Sequence, residues 1–229
     1  MIFAVLILSI LTGSLMLSQT DKYSSLREKM VKEQILDRGI SDRATLSAMK
    51  KVPRHLFVPA DVIAEAYDDN PLPIGYGQTI SQPYIVAYMT EVSRPTAKKK
   101  VLEVGTGSGY QAAIIAEITD TVYTIEIIPE LAKEASDRFK KLGYKNVIAR
   151  YGDGYKGWPE HSPFDIIIVT AAAEKIPQPL LDQLAENGRL VIPVGGPFEV
   201  QELILAVKKN GKTESKRLTY VRFVPFRRL

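Results

Sequence analysis

The sequence predicts an α/β protein with a doubly wound, mostly parallel Rossmann-like sheet, an N-terminal helical addition and a C-terminal hairpin. Apolar segments alternate with helical patterns: strands are predicted at 99–104, 121–126, 147–151, 164–170 and 189–194, and helices at 110–118, 129–142 and 177–186. Residues 164–169 form an almost continuous apolar run, typical of a central parallel strand covered on both faces. The strand at 99–104 leads directly into a glycine-rich turn, which predicts a ligand crevice at the carboxyl edge of the sheet.

The N-terminal addition is predicted over residues 20–70. A capping box at Ser25–Glu28 indicates a first helix that ends at Gly39, and Ser41 is suited to cap a second helix running toward Lys50. Two prolines in the segment 52–59 interrupt the helical pattern.

Two further segments complete the predicted fold. Residues 71–83 are rich in proline and glycine and contain apolar side chains, which favours a structured loop before a helix at Tyr84–Val92. Glu202–Lys208 and Leu218–Val224, separated by the turn residues Asn210 and Gly211, predict the terminal hairpin.

Composition narrows the classes of function. The 229 residues are 45% hydrophobic and 24% charged, with a net charge of +4, as expected for one globular domain, which we assign to residues 21–229. The basic runs are short, so nucleic acid is not an expected partner. The chain contains no cysteine and only two histidines, which argues against disulfides, cysteine nucleophiles and a protein-bound metal.

The glycine-rich turn indicates which ligand the crevice holds. Gly105, Gly107 and Gly109 stand at alternate positions, unlike the G-x-G-x-x-G spacing of dinucleotide-binding proteins. Glu103, in the preceding strand, would repel a pyrophosphate and would attract a cationic ligand. S-adenosylmethionine has such a charge, because it carries an ammonium and a sulfonium.

Two more acidic residues stand at the ends of the next two strands. Glu126 is placed to hold ribose hydroxyls, and Asp153, which precedes Gly154, is placed to accept a hydrogen bond from an adenine amine. Acidic residues at the tips of three successive strands therefore predict S-adenosylmethionine as the cofactor.

The segment after the fourth predicted strand constrains the acceptor of the methyl group. Residues 169–173 contain nothing suited to grip a base amine. The chain also offers no clear metal cluster or general base, whereas a carboxylate is already ionised at neutral pH and needs only positioning and desolvation. This pattern is consistent with methylation of a carboxylate.

Several motifs give the chain a resemblance to a known family. They occupy residues 52–59, 77–83, 102–110, 152–154 and 222–226. In sequence and order they resemble the protein-L-isoaspartate O-methyltransferases, and the resemblance covers about residues 23–229. It implies a class I methyltransferase fold and transfer of a methyl group from S-adenosylmethionine to the free α-carboxylate of L-isoaspartyl residues in damaged proteins and peptides. The ester would then close to a succinimide, whose hydrolysis returns some aspartate.

The resemblance also implies roles for individual residues. Ser81 would be the active-site serine, and Thr79, Ile80 and Gln82 would close over the cofactor. The alternative for Ser81 is a helix cap. His55 is interpreted as a packing or hydrogen-bonding residue.

The sequence alone leaves two other functions and the cellular location open. The first is a nicotinamide-dependent oxidoreductase, which shares the fold. The second is a nucleotide-sensing or membrane-tethered binding protein, which would not require Ser81 next to the cofactor loop. Residues 1–20 form a separate apolar segment, in which residues 1–18 suggest export or membrane contact. The resemblance instead implies a cytoplasmic enzyme with a soluble core, and we expect a monomer.

Overall fold

The computed structural model describes residues 23–197 and 199–229. The helices are α1 (23–38), α2 (Arg43–Lys51), α3 (Pro83–Ser93), α4 (Tyr110–Ala116), α5 (Pro129–Leu142) and α6 (Gln178–Asp182). The strands are β1 (Leu72–Gly75), β2 (Gln78–Ile80), β3 (Lys100–Val104), β4 (Thr121–Glu126), β5 (Val147–Tyr151), β6 (Phe164–Val169), β7 (Leu184–Val194), β8 (Gln201–Lys209) and β9 (Lys212–Val221).

The main sheet confirms the predicted fold class. Its seven strands lie in the order β5-β4-β3-β6-β7-β8-β9. Strands β3 to β7 are parallel to one another, whereas β8 and β9 are antiparallel to their neighbours. The chain runs outward from β3 to β5 and then returns to place β6 on the other side of β3. This reversal opens a crevice at the carboxyl ends of β3 and β6, where ligands bind in doubly wound folds.

Both faces of the central strands are covered, as the apolar run at 164–169 predicts. Ile166 and Ile168 belong to one buried cluster, which also includes apolar residues of α2, α3 and α4. Ile167 and Val169 belong to the opposite cluster, which contains Trp158. Alternate side chains of one strand therefore pack into two cores, which explains why the strand has no polar face.

The N-terminal helices begin differently from the prediction. Residues 23–29 are already α-helical, so the capping box predicted at Ser25–Glu28 is wrong. The helix continues as a π-helical turn and ends at Gly39, whose φ of 97° is accessible to glycine, as predicted. Ser41 does not cap α2. Asp42 does, because its carboxylate accepts a hydrogen bond of 2.7 Å from the Thr45 N–H.

The segment 71–83 is more regular than the predicted loop. It contains the antiparallel hairpin β1–β2, in which Leu72 pairs with Ile80, and α3 begins at Pro83. Both paired side chains are buried. Their burial explains why so short a hairpin persists within a proline-rich segment.

The C-terminal third also differs at its boundaries. The helix predicted at 177–186 ends at Asp182, because Leu184 is buried and pairs with Phe164 at the start of β7. Strand β7 is therefore longer than the predicted 189–194. Strands β8 and β9 form the predicted hairpin, turning at Asn210 and Gly211, although β9 begins at Lys212 rather than at residue 218.

The predicted apolar segment 1–20 lies outside the described residues. Within residues 23–197 and 199–229, no helix has the length and apolar character required to cross a bilayer.

Candidate functional site

The glycine-rich turn between β3 and α4 needs glycine at each alternate position. Gly105, Gly107 and Gly109 have φ values of 96°, 52° and 88°, in the left-handed region that favours glycine. A Cβ atom at Gly105 would also overlap the hydroxyl of Thr170, and one at Gly109 would lie 2.6 Å from the ring of Phe139. The turn is therefore tight and closely packed, and Gly105 and Gly107 leave its backbone accessible to a ligand.

Glu126, at the end of β4, holds the turn in place. One carboxylate oxygen accepts a hydrogen bond of 2.7 Å from the Gly107 N–H. The other accepts bonds of 2.9 and 3.0 Å from the N–H groups of Ile127 and Ile128. A carboxylate can accept about four hydrogen bonds, so Glu126 retains capacity for one ligand donor.

Glu103, in β3, is completely buried in the wall of the crevice. The Thr124 hydroxyl donates to its Oε2, whereas its Oε1 has no hydrogen-bond partner among the described residues. Burial raises the pKa of Glu103 to about 8, and the nearby Glu126 contributes to the increase. Without a ligand cation, the carboxyl group is therefore mostly protonated at neutral pH.

This raised pKa makes the stability of the cofactor-free protein depend on pH. The unfolded chain loses the Glu103 proton near pH 4.5 and the folded protein loses it near pH 8, so the free energy of unfolding should fall as pH rises between these values. The slope for one proton is at most about 1.4 kcal/mol per pH unit. Glu103→Gln should flatten this dependence. Melting temperatures from pH 5 to 8.5 measure it, and equal slopes for both proteins would contradict the assignment.

Asp153 lies just after β5 and caps the turn Gly154–Lys156. Its Oδ1 accepts a hydrogen bond of 3.0 Å from the Tyr155 N–H, and its buried Oδ2 has no hydrogen-bond partner among the described residues. The guanidinium of Arg228 lies 3.9 Å from that oxygen. Gly154 packs so closely on β3 that a Cβ atom would overlap Val104.

A single cavity collects most of the predicted site residues. Its walls include Thr79, Ile80, Ser81, Glu103, Gly105, Gly107, Glu126 and Gly154. Three predicted residues lie outside its lining. Gly109 packs behind the turn, Asp153 precedes the lining residue Gly154, and Gln82 lies in the wall of a neighbouring cleft.

The neighbouring cleft shares part of its wall with this cavity. The shared residues are Thr79, Ser81, Thr170 and Val224. Its remaining lining is mostly apolar and comes largely from α3, β9 and the segment after β9, with Ile85, Tyr220 and Phe223 as representatives. Ser81 therefore lies at the boundary between a cavity with acidic walls and an apolar cleft.

Two parts of the site were not predicted from the sequence. Residues 224–227 line the cavity because the backbone groups of Val224 and Phe226 form hydrogen bonds of 2.8 Å with the backbone of Ala172, beyond β6. Thr170 also contributes, since its hydroxyl donates a bond of 2.6 Å to the Gly105 carbonyl and supports the glycine turn. The apolar run at 223–226 is the sequence feature that could have indicated that the C-terminal segment packs against the cavity.

His55 packs away from the cavity. Its ring stacks on Tyr23 with centroids 4.1 Å apart, and its Nδ1 lies 2.7 Å from the Tyr67 hydroxyl. Burial and the nearby Arg27 lower its pKa. These contacts match the packing role expected from the sequence.

Comparisons with known proteins agree with one another. A family model described as Protein-L-isoaspartate(D-aspartate) O-methyltransferase matches residues 25–228. The protein-L-isoaspartate O-methyltransferase of Opitutus terrae is 60% identical over 202 residues, which cover 88% of this chain and 87% of that protein. The protein of the same name from Gloeobacter violaceus is 57% identical over 199 residues, which cover 87% of this chain and 97% of that protein.

Solved structures show the same similarity. One named protein-L-isoaspartate O-methyltransferase has a TM-score of 0.80 and 30% identity, covering 87% of this chain and 65% of its own. A second, described as a putative protein-L-isoaspartate O-methyltransferase from Plasmodium falciparum in complex with S-adenosyl-L-homocysteine, has a TM-score of 0.76 and 28% identity, covering 90% of this chain and 98% of its own.

Proposed function

This chain belongs to the protein-L-isoaspartate(D-aspartate) O-methyltransferase family, and we propose that its cavity binds S-adenosylmethionine while Ser81 orients the acceptor. The enzyme transfers a methyl group to the free α-carboxylate of L-isoaspartyl residues in damaged proteins. Membership of this family excludes the oxidoreductase and the non-enzymatic binding protein that the fold alone left open.

The residues of the cavity fit this cofactor. The partnerless Oε1 of Glu103 offers an acceptor to the ammonium of the amino acid end, and Glu126 retains acceptor capacity for a ribose hydroxyl. Next to the lining residue Gly154, the Oδ2 of Asp153 accepts no hydrogen bond from the described residues and would offer an acceptor to the adenine amine. Gly105 and Gly107 let the ligand approach the backbone closely. When bound, S-adenosylmethionine supplies an electrophilic methyl group on its sulfonium.

The position of Ser81 is the observation that carries the proposal. Ser81 belongs to the walls of both the cavity and the apolar cleft, so a peptide in the cleft would present its carboxylate beside the cofactor. The Ser81 hydroxyl would donate a hydrogen bond to one carboxylate oxygen and leave the other free to attack. Because the α-carboxylate is ionised at neutral pH, the protein has only to orient and desolvate it. Thr79, Ile80 and Gln82 complete the surrounding loop.

A paired-peptide assay tests this function. The enzyme is incubated with methyl-labelled S-adenosylmethionine and either an isoaspartyl peptide or the aspartyl peptide of the same sequence. Only the isoaspartyl peptide should accept label, in an ester that releases methanol in base. Equal labelling of both peptides, or label that resists base, would contradict carboxyl methylation of isoaspartate.

Residues 1–20 are expected to be dispensable for the methyltransferase domain. Deleting residues 1–20 should leave a soluble enzyme with full activity, because the family match begins at residue 25 and α1 already packs on His55 through Tyr23. Turnover and melting temperature of both forms measure this. An insoluble deletion form, or one that melts well below the full chain, would show that the segment belongs to the core.

We propose that the enzyme acts in the cytoplasm as a monomer. Cell fractionation distinguishes this location from export and from membrane tethering through residues 1–18.

A further inference from the structure

Arg54 is a completely buried arginine in the N-terminal addition, outside both the cavity and the cleft. It lies in the turn Arg54–Phe57, which carries part of the motif at 52–59. Its Nε donates a hydrogen bond of 2.9 Å to the Ala66 carbonyl, and its Nη2 donates one of 3.4 Å to the Asn70 carbonyl. We call residues 66–70 the strap. The guanidinium therefore holds both ends of the strap.

The charge of Arg54 is costly to bury, and among the described residues no carboxylate forms a salt bridge with it. Burial lowers its pKa to about 10, so it remains charged at neutral pH. Backbone carbonyls accept its hydrogen bonds, and the centre of the Tyr110 ring lies 4.9 Å from the guanidinium carbon. Tyr110 is the first residue of α4, directly after the glycine turn. Arg54 thus lies between the strap and the helix that continues from the cofactor turn.

The strap in turn holds both neighbours of Ser81. The Asp69 carbonyl accepts a hydrogen bond of 2.8 Å from the side chain of Gln82. On the other side, the strap continues through Pro71 into β1, where Leu72 pairs with Ile80. Ser81 stands between Ile80 and Gln82, so the residue on each side of it is tied to the strap.

We propose that Arg54 is a positioning residue for methyl transfer, which acts by holding the strap so that Ser81 is aligned with the acceptor carboxylate. The inference rests on the proposed role of Ser81. A planar guanidinium can bond two carbonyls in a fixed geometry, whereas the ammonium of lysine cannot reproduce that fork. A small displacement of a reacting group is sufficient to lower the rate by about 10²-fold.

The test is a double-mutant cycle between Arg54→Lys and Ser81→Ala. Turnover is measured at saturating cofactor and isoaspartyl peptide, and cofactor affinity is measured by calorimetry. Arg54→Lys should lower kcat by about 10- to 100-fold and change the cofactor Kd by less than about threefold. In the Ser81→Ala background the same change should have little further effect, because the alignment it disturbs is no longer used.

Two further variants serve as a control and as a substitute in case Arg54→Lys does not fold. Arg38→Met removes a partly exposed ion pair to Asp69 in the same strap and should keep kcat within about twofold of wild type. Gln82→Met breaks the link between the strap and the start of α3 without removing a buried charge. If Arg54→Lys does not fold, Gln82→Met should lower kcat at saturating cofactor and should have little further effect in the Ser81→Ala background. Only Arg54→Lys is judged by cofactor affinity, because Gln82 belongs to the loop assigned to the cofactor. Equal losses in both backgrounds, or a parallel loss of cofactor affinity, would overturn the inference. A fully active Ser81→Ala enzyme would refute the role of Ser81 itself, and Arg54 would then have no residue to align.

Discussion

Ser81→Ala is expected to lower the rate of methyl transfer by about 10²–10³-fold and to leave cofactor affinity unchanged, because it removes one oriented hydrogen-bond donor. Ser81 lies in the wall shared by the cavity and the apolar cleft, where an incoming carboxylate would meet the cofactor. The proposed role of its hydroxyl is toward the acceptor rather than toward the fold. The loss should therefore appear in kcat at saturating cofactor, and the melting temperature should not change.

A serine elsewhere in the domain provides the matched control. Ser136→Ala removes a hydroxyl that donates to the Ala132 carbonyl within α5, and it should retain wild-type turnover. If Ser81→Ala turns over at the wild-type rate with saturating cofactor, the serine does not orient the acceptor and serves only the loop.

Glu126→Ala and Asp153→Ala are expected to weaken S-adenosylmethionine binding more than peptide binding. Each lost hydrogen bond to the cofactor should cost about 1–3 kcal/mol, or roughly 5- to 150-fold in Kd. The effect of Glu126→Ala should be the larger one. Its carboxylate also accepts hydrogen bonds from the backbone of Gly107, Ile127 and Ile128, so the glycine turn loses its support together with the ligand.

Calorimetric titration with S-adenosylmethionine measures both variants, and Asp120→Ala serves as the control. Asp120 is an exposed acidic residue just before β4, away from the cavity, so its removal should leave the Kd unchanged. Wild-type affinity in both Glu126→Ala and Asp153→Ala would place the adenosine elsewhere.

The sequence was sufficient to locate the cavity at the carboxyl edge of the sheet. Parallel strands end at the same edge, so Glu103, Glu126 and Asp153 could be predicted to converge from their positions at the ends of apolar runs. Glu103 and Glu126 do come together in the walls of one cavity, whereas Asp153 lies beside the lining residue Gly154. The conformations of Gly105 and Gly107 also follow from local chemistry, because a tight turn needs left-handed backbone that other residues resist.

Long-range contacts could not be predicted in the same way. Nothing near Val224 in the sequence indicates that it pairs with Ala172, because that pairing depends on how the sheet is assembled. The raised pKa of Glu103 in the cofactor-free protein could not be predicted for a similar reason. Its position indicated an acceptor for a cation, whereas its pKa is set by burial, which involves both neighbouring strands. The early start of α1 and the shortened α6 likewise reflect packing rather than local propensity.

The order of the strands along the chain determines when the wall of the cavity is completed during synthesis. The last strand, β9, lies at the far edge of the sheet, and the chain returns from it so that residues 224–227 close the cavity. Because residues 224–227 follow every strand of the sheet in chain order, a nascent chain lacks this wall even after β3–β7 have been synthesised. A stop codon placed just before Val224 should therefore leave all seven strands of the sheet intact and remove one wall of the cavity.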